Sequence, residues 1–152
     1  MLKVGDRVKD FSLKDFQGNL HTLSEHIGKK VVVYFYPKDN TPGCTTQACD
    51  FRDNFHEIKN KDVVLFGISP DDASSHEKFI NKYNLPFTLL SDETQEVATY
   101  FGAFGKKRVF GKKVEGIIRS TYIIDETGNV EKIWHPASAS KNVEEVIEYL
   151  NN

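Results

Sequence analysis

Both cysteines of the chain, Cys44 and Cys49, lie in one short stretch, and their spacing limits the chemistry available to them. The stretch spans residues 36–49 and reads YPKDNTPGCTTQAC. Zinc sites need further Cys or His ligands at matching spacings, and redox sites of the CxxC kind separate their cysteines by two residues. Neither pattern fits a pair that is five residues apart. The spacing therefore indicates another kind of cysteine site.

Cys44 follows Thr41, Pro42 and Gly43, a run that is typical of a helix start. We therefore expect Cys44 in the first turn of a helix. The unpaired backbone N–H groups and the helix dipole at that end stabilise an anion such as a thiolate. This position favours a reactive cysteine. The alternative is a small apolar side chain buried between helix and sheet, which is a common role for cysteine.

Cys49 is expected further along the same helix. A separation of five residues corresponds to ~140° around the helix axis and ~7.5 Å along it, which is beyond the reach of a disulfide bond. Cys44 and Cys49 can therefore bond only if the first turns of the helix unwind. Two interpretations remain open: a transient disulfide coupled to local unfolding, or a Cys49 that packs near Ala48 and never reacts.

The elements around this stretch predict an α/β fold with a mixed central sheet. Apolar runs predict strands at 31–36, 63–68, 87–90, 117–124 and 130–134. Helical periodicity predicts one helix from Cys44 to about Lys59, and further helices at 72–83, 97–101 and 141–150. A hairpin is expected over residues 8–23, followed by a short helical turn capped by Ser24. The basic stretch Lys106–Lys113 is expected to be a loop.

Composition and charge set broader limits. The chain has 152 residues, of which 39% are hydrophobic and 28% charged, which fits a single domain over residues 1–152. Its net charge of −2 provides no basic field for nucleic acid or an anionic membrane. No apolar run approaches the ~20 residues of a membrane span, and the N-terminus lacks the apolar core of a secretory signal. We therefore expect a cytoplasmic protein, in which a cysteine pair is more often redox-active than structural.

The stretch at 36–53, YPKDNTPGCTTQACDFRD, closely resembles the peroxiredoxins, in particular the bacterioferritin comigratory protein group, also called peroxiredoxin Q. The family motif P-x-x-x-T-x-x-C falls on Pro37, Thr41 and Cys44. The segment GIIRSTYIID is similar to the one that carries the family's active-site arginine, here Arg119. The resemblance covers nearly the whole chain, and it implies a thioredoxin-like fold with an N-terminal β-hairpin.

What the resemblance implies is a thiol peroxidase acting on hydrogen peroxide and organic hydroperoxides, with roles in redox homeostasis and antioxidant defence. Cys44 would be the peroxidatic nucleophile, and Cys49 the resolving cysteine of a redox-active Cys44–Cys49 disulfide. Arg119 would stabilise the thiolate and bind the peroxide, Thr41 would hydrogen-bond to both, and Pro37 would shape and dry the pocket. Thioredoxin or a similar dithiol protein would reduce the disulfide, without a metal or bound cofactor. The protein would be a monomer, or alternatively a weak dimer.

Some residues leave alternatives open. Gln47 stands where several peroxiredoxin branches carry an acid, but a neutral amide can still accept a hydrogen bond from Arg119, and Arg52 is a second candidate for that network. The basic stretch Lys106–Lys113 is a solvated face or a surface that steers an acidic reductant. Phe101, Phe104 and Phe110 form an apolar rim or belong to the core, and the five histidines are expected to be exposed.

Two other functions remain to be distinguished from a peroxidase. A thiol–disulfide exchange protein would also use two cysteines, although it would have no need of Thr41 and Arg119. A non-enzymatic peroxide sensor or holdase would use the opening of the helix to expose apolar surface. Peroxide consumption that requires Cys44 separates the first alternative from a peroxidase, and turnover at substrate-like peroxide levels separates the second.

Overall fold

The computed structural model describes the whole chain, Met1–Asn152. The strands are β1 (Ser12–Lys14), β2 (Leu20–Thr22), β3 (Val31–Phe35), β4 (Val64–Ser69), β5 (Thr88–Ser91), β6 (Phe104–Val109), β7 (Lys112–Ile117), β8 (Ser120–Ile124) and β9 (Val130–Trp134). The α-helices are α1 (Pro42–Asp53), α2 (Phe55–Asn60), α3 (Ala73–Tyr83), α4 (Glu96–Phe101) and α5 (Asn142–Asn151). A 3₁₀ helix at Leu23–His26 follows β2.

Seven of the strands form one mixed sheet in the order β2-β1-β5-β4-β3-β8-β9. Strands β3, β4 and β5 run parallel, whereas β8 pairs antiparallel with β3 on its other side. Every residue of β3 is buried, because a central strand of a sheet covered on both faces has no solvent-facing side. The predictions of an α/β fold, a mixed sheet and an N-terminal hairpin (β1 and β2) are therefore confirmed.

The sheet separates two apolar cores, and the side chains of β3 alternate between them. Val31, Val33 and Phe35 face one core, which includes Phe101 of α4. Val32 and Tyr34 face the other core, which is covered by α1, α3 and α5. The second core contains Cys44, Ala48 and Phe51 of α1, so the helix that carries both cysteines packs directly on the central strand.

The single helix predicted from Cys44 to Lys59 is wrong in two respects. The helix begins earlier, at Pro42, and it is interrupted at Asn54, which lies between α1 and α2 with φ −113° and ψ 7°. The Asn54 side chain donates to the backbone oxygen of Asp50 at 2.9 Å, a local bond that competes with helix continuation. Apolar spacing alone did not reveal this break, because Phe55 and Ile58 continue the same stripe.

The loop predicted at 106–113 is instead a hairpin formed by β6 and β7. At its tip Phe110 and Gly111 have φ of 51° and 78°, the conformation that a two-residue turn of this kind requires at both positions. Phenylalanine is unusual at the first of these positions, so the sequence contained no recognisable signal for the turn. Phe110 is fully exposed, whereas Phe101 is buried and Phe104 half-buried, so the three rings do not share one environment.

The strand predicted at 117–124 is also divided, since β7 ends at Ile117 and β8 begins at Ser120. Arg119 therefore lies in a break between two strands. The short helix after β2 has Thr22, rather than Ser24, as its N-cap. Asp72 caps α3 by accepting from the Ser75 N–H at 2.9 Å. None of the helices combines the length and apolar character needed to cross a membrane.

Candidate active site

Cys44 lies in the first turn of α1, as predicted. Thr41 is the extended residue before the helix, and Pro42, which has no N–H to satisfy, occupies the first helical turn. The backbone N–H groups of Gly43 and Cys44 have no acceptor, since the first helical bond runs from the Thr45 N–H to the Thr41 oxygen at 2.8 Å. Cys44 is 2% exposed. The buried sulfur therefore belongs to the helix end that has two free N–H donors and the positive end of the helix dipole.

Arg119 reaches this sulfur from the break between β7 and β8. Its Nη2 donates to Cys44 Sγ at 3.4 Å. A Cβ atom at Gly43 would lie 3.1 Å from Nη2, so the absence of a side chain there leaves room for the guanidinium. The backbone oxygen of Arg119 accepts from the Ala137 N–H at 2.7 Å, which holds this irregular segment in place. A fixed positive charge therefore lies beside the sulfur, where it can also bind an anionic or polar ligand of the site.

Gln47 orients the arginine from the same helix as Cys44. Arg119 Nη1 donates to Gln47 Oε1 at 2.8 Å, and Gln47 Nε2 donates to Asn142 Oδ1 at 3.1 Å. Thr121 also donates to Asn142 Oδ1, at 2.6 Å. A carboxylate at position 47 could accept from the arginine but could not donate to Asn142. The neutral amide therefore links α1, the arginine and α5 in one buried network.

Arg52 does not take part in this network. Its Nε donates to Asp53 at 2.9 Å and its Nη1 to the Tyr83 backbone oxygen at 2.8 Å. The prediction that Arg52 is a second candidate for this network is therefore wrong, since Arg52 pairs with Asp53 instead. Asn142 was missed by the sequence analysis, because nothing local distinguishes it from a residue at the start of an exposed helix.

Thr41 and Pro37 lie in the loop between β3 and α1, and both are half-buried. The Thr41 hydroxyl donates to the Lys38 backbone oxygen at 2.8 Å rather than to Cys44. Its proton is thereby engaged, which leaves the hydroxyl oxygen as an acceptor. The expected hydrogen bond from Thr41 to the thiolate is absent from this structure. Pro37 follows the last residues of the central strand, where a missing N–H breaks no ladder bond.

A buried cluster that the sequence analysis missed anchors this loop. Asp39 accepts from the Tyr36 hydroxyl at 2.6 Å and from His76 Nδ1 at 2.6 Å, and its own N–H donates to Asp71 Oδ2 at 2.7 Å. His76 Nε2 donates to the Leu90 oxygen at 3.1 Å. The prediction that His76 is exposed is wrong, since it is fully buried. The sequence did hold one signal of this burial. His76 lies three residues before the apolar Phe79, a spacing that puts both side chains on the inner face of α3.

Burial opposes the protonated form of His76, but the hydrogen bond and the charge of Asp39 outweigh burial, so the pKa of His76 lies above its ordinary value. His76 and Asp39 therefore form a buried ion pair. Asp39, Asp71 and His76 offer ligand atoms within 4.8 Å of one another. Both ring nitrogens of His76 are already engaged by Asp39 and Leu90, so the chemistry of the cluster fits an ion pair better than a metal site.

Cys49 is half-buried on α1 and its thiol, like that of Cys44, is free. The helix runs without interruption through both residues. By helix geometry the two Cα atoms are then separated by about 7.5 Å along the axis, so the sulfurs cannot bond while α1 is intact. Phe51, two residues further on, is fully buried against the sheet.

Within the β6–β7 hairpin, one basic side chain turns toward the site. Lys107 Nζ donates to the Ile117 oxygen at 2.6 Å. Burial, and then the nearby charge of Arg119, lower the pKa of Lys107 below its ordinary value. The neighbouring Lys106 and Arg108 are exposed. The hairpin therefore places Lys107 next to the cysteine site, whereas Lys106 and Arg108 lie in solvent.

Comparison with known proteins agrees with this geometry. The model of the AhpC/TSA family matches residues 4–133. The chain belongs to the AhpC/TSA family. The peroxiredoxin is 42% identical to peroxiredoxin Bcp of Bacillus subtilis over 151 residues, covering 99% of this chain and 96% of the relative. It is also 42% identical to peroxiredoxin Bcp of Escherichia coli, over 98% of this chain and 96% of that one.

Solved structures of the peroxiredoxin Q group have the same fold as this peroxiredoxin. A peroxiredoxin Q of Xylella fastidiosa superposes with a TM-score of 0.93 at 29% identity, over 99% of this chain and 96% of the other. The bacterioferritin comigratory protein of Xanthomonas campestris, studied for its alkyl peroxide reduction activity, superposes with a TM-score of 0.89 at 32% identity, with coverage of 99% and 96%. These neighbours confirm the predicted thioredoxin-like fold and the predicted family.

Proposed function

We propose that Cys44 of this peroxiredoxin reduces hydrogen peroxide and alkyl hydroperoxides, that Cys49 resolves the product, and that a thioredoxin-type dithiol protein completes the cycle. The single observation that carries the proposal is the contact of Arg119 Nη2 with Cys44 Sγ at 3.4 Å, at a helix N-terminus with two free N–H groups. Such an arrangement stabilises a thiolate and also the negative charge that develops on a peroxide oxygen.

In the first step the Cys44 thiolate attacks the terminal oxygen of the hydroperoxide. A sulfur–oxygen bond forms as the oxygen–oxygen bond breaks, and the departing oxygen takes up a proton to leave as water or an alcohol. The N–H groups of Gly43 and Cys44 and the guanidinium of Arg119 would bind the reacting oxygens. Thr41, whose proton is held by the Lys38 oxygen, would accept a hydrogen bond from the hydroperoxide.

In the second step the Cys49 thiolate attacks the sulfur of the Cys44 sulfenic acid. The new sulfur–sulfur bond forms as the sulfur–oxygen bond breaks, and the oxygen leaves as water. Because α1 holds the cysteines too far apart, residues 44 to about 51 must unwind before this attack. A dithiol protein then reduces the disulfide by thiol–disulfide exchange through a mixed disulfide.

The domain organisation, oligomeric state and location of the protein belong to the same proposal. We infer a single domain over residues 1–152, which is supported by one seven-stranded sheet whose two cores are built from elements along the whole chain. We infer a monomer in the cytoplasm, where a thioredoxin-type reductant keeps such cysteines cycling. Sedimentation of the reduced protein over a range of concentrations tests the monomer, and a concentration-dependent dimer would contradict it.

The experiment that tests the cycle compares Cys44→Ser and Cys49→Ser with the wild type. Consumption of an alkyl hydroperoxide is followed in the presence of thioredoxin, thioredoxin reductase and NADPH. Cys44→Ser should consume no peroxide. Cys49→Ser should consume one equivalent per chain and then stop as a sulfenic acid, which dimedone labels and mass spectrometry detects.

Two results would contradict the proposal. Full coupled turnover by Cys49→Ser would mean that the reductant attacks the sulfenic acid directly and that Cys49 is a packing residue. Unchanged peroxide consumption by Cys44→Ser would remove the peroxidatic role altogether. Disulfide exchange without peroxide consumption would instead favour a thiol–disulfide exchange protein.

A further inference from the structure

Tyr34 carries a buried hydroxyl that has no hydrogen-bond partner. The residue lies next to the last position of β3, is 1% exposed and faces the core beneath α1. Its ring packs against Phe51 of α1 with a centroid distance of 4.7 Å, and against Tyr36 at 5.4 Å. A buried polar group without a partner destabilises the state in which it is buried, and it calls for an explanation.

The other two fully buried tyrosines do not share this feature. Tyr36 donates to Asp39 at 2.6 Å, and Tyr122 donates to the Phe101 backbone oxygen at 3.1 Å. Burial raises the pKa of Tyr34 well above its ordinary value, so its hydroxyl remains a protonated donor. Among the fully buried tyrosines, Tyr34 alone has an unpaired hydroxyl, and its ring is the one that packs on Phe51 of α1.

The neighbouring strand leaves space for this hydroxyl. Gly67 of β4 is the register partner of Tyr34, and a Cβ atom there would lie 2.8 Å from both the Tyr34 hydroxyl oxygen and its ring carbon. Phenylalanine at position 34 would keep the ring contacts and remove the unpaired polar atom. Packing alone therefore gives no reason for tyrosine at this place.

We propose that the Tyr34 hydroxyl promotes the unwinding of α1 that brings Cys49 to Cys44, an inference that rests on the proposed function. While α1 is intact, Phe51 packs on the ring of Tyr34 and the hydroxyl stays unpaired. When residues 44–51 unwind, Phe51 withdraws, and the hydroxyl can donate to water or to a backbone oxygen released from the helix. The penalty exists only in the closed state, so it shifts the equilibrium toward the open state. Tyr34 is thus a positioning residue for the resolving step, with no contact to the peroxide.

The variant Tyr34→Phe tests this role. It should stabilise the closed helix, raise the melting temperature of the reduced protein and increase hydrogen-exchange protection of the amides at 44–51. Formation of the disulfide after one equivalent of peroxide should slow by about fivefold or more, because the unpaired hydroxyl no longer destabilises the closed helix. Oxidation of Cys44 itself should proceed at the wild-type rate. Rapid acid quench with mass spectrometry separates the two steps by counting sulfenic acid and disulfide.

Tyr122→Phe is the matched control. It removes a hydroxyl from another fully buried tyrosine, on the neighbouring strand β8, but one that is bonded to Phe101. It should lower the melting temperature and leave the rate of disulfide formation unchanged. A Tyr34→Phe protein with wild-type protection at 44–51 and a wild-type rate of disulfide formation would overturn the inference.

The proposed function can fail separately. If wild-type protein forms no Cys44–Cys49 disulfide, the proposed resolving step is wrong. In that case, hydrogen exchange of the reduced wild type and Tyr34→Phe still measures the effect of Tyr34 on the opening of α1. Increased protection in Tyr34→Phe would support the bias toward opening, and unchanged protection would refute it.

Discussion

Oxidation should make this peroxiredoxin less stable, which is the reverse of the effect of a structural disulfide. The perturbation is one equivalent of hydroperoxide, which converts the free thiols of Cys44 and Cys49 into a disulfide. In the reduced form α1 is intact through both residues, and Phe51 and Gln47 are fully buried. The disulfide is incompatible with that helix, so its formation must remove the interactions that α1 makes.

The magnitude follows from two opposing effects. Closing a loop of six residues restricts the unfolded chain and contributes about 2 kcal/mol to stability. Losing the buried Phe51 ring costs about 3–5 kcal/mol, and losing the charge-assisted bond between Gln47 and Arg119 about 1.5–3 kcal/mol. The backbone hydrogen bonds that the unwound segment loses and the backbone freedom that it regains have opposite signs and similar sizes, so they largely cancel. We therefore expect the oxidised form to be less stable by at least about 2 kcal/mol, or roughly 4–8 °C or more in melting temperature for a chain of this size.

Thermal melts and hydrogen exchange of reduced and oxidised samples at one pH test this prediction. Amides at 44–51 should lose protection on oxidation, while those of β3 keep it. Cys49→Ser treated with the same peroxide is the control, because its Cys44 is oxidised without a disulfide. A higher melting temperature on oxidation, together with unchanged protection across α1, would contradict this prediction.

Three further predictions concern the residues that position the site. Gly43→Ala should slow peroxide reduction by about tenfold with little effect on stability, because the new Cβ would lie 3.1 Å from Nη2 of Arg119 and displace the guanidinium. An unchanged rate would mean that peroxide reduction tolerates this displacement. Gln47→Ala should slow the same step by roughly tenfold or more, because Arg119 loses a charge-assisted hydrogen bond. Thr46 is exposed on the same helix, so Thr46→Ala is the control and should leave the rate unchanged. Steady-state kinetics of both variants test this prediction. His76→Asn should destabilise the protein most below about pH 6.5, where the ion pair of His76 with Asp39 contributes fully. The destabilisation should become smaller as pH rises and wild-type His76 loses its proton. A difference in unfolding free energy between the two proteins that is constant with pH would contradict this.

The sequence was sufficient for the central elements of the fold. A continuous β-branched and aromatic run predicts a buried strand, and Val31–Phe35 forms the middle of the sheet. Pro42 and Gly43 predict a helix start, and Cys44 lies in its first turn. These inferences succeeded because each depends on a local pattern. The hairpin at 104–117 had no such pattern, since Phe110 occupies a turn position that usually takes Gly or Asn.

The residues around the cysteine were only partly predictable. Arg119 was identified through its resemblance to a known segment, and the structure brings it to Cys44 as expected. Asn142 and the pair of Asp39 and His76 were not identified, because their importance comes from partners that are distant in the sequence. A histidine on a helix has the same local signature whether it faces solvent or an aspartate from another loop.

The local sequence encodes the type of chemistry and the element that performs it. A thiol at a helix N-terminus, with a second thiol five residues later, is a local property that neighbouring residues encode. The folded chain was needed to see that Gln47 links Arg119 to Asn142 and that Tyr34 keeps an unpaired hydroxyl beneath the helix. These features depend on which strands and helices meet. A hydrogen bond or its absence is determined by the final positions of both partners, and no spacing within one segment specifies them.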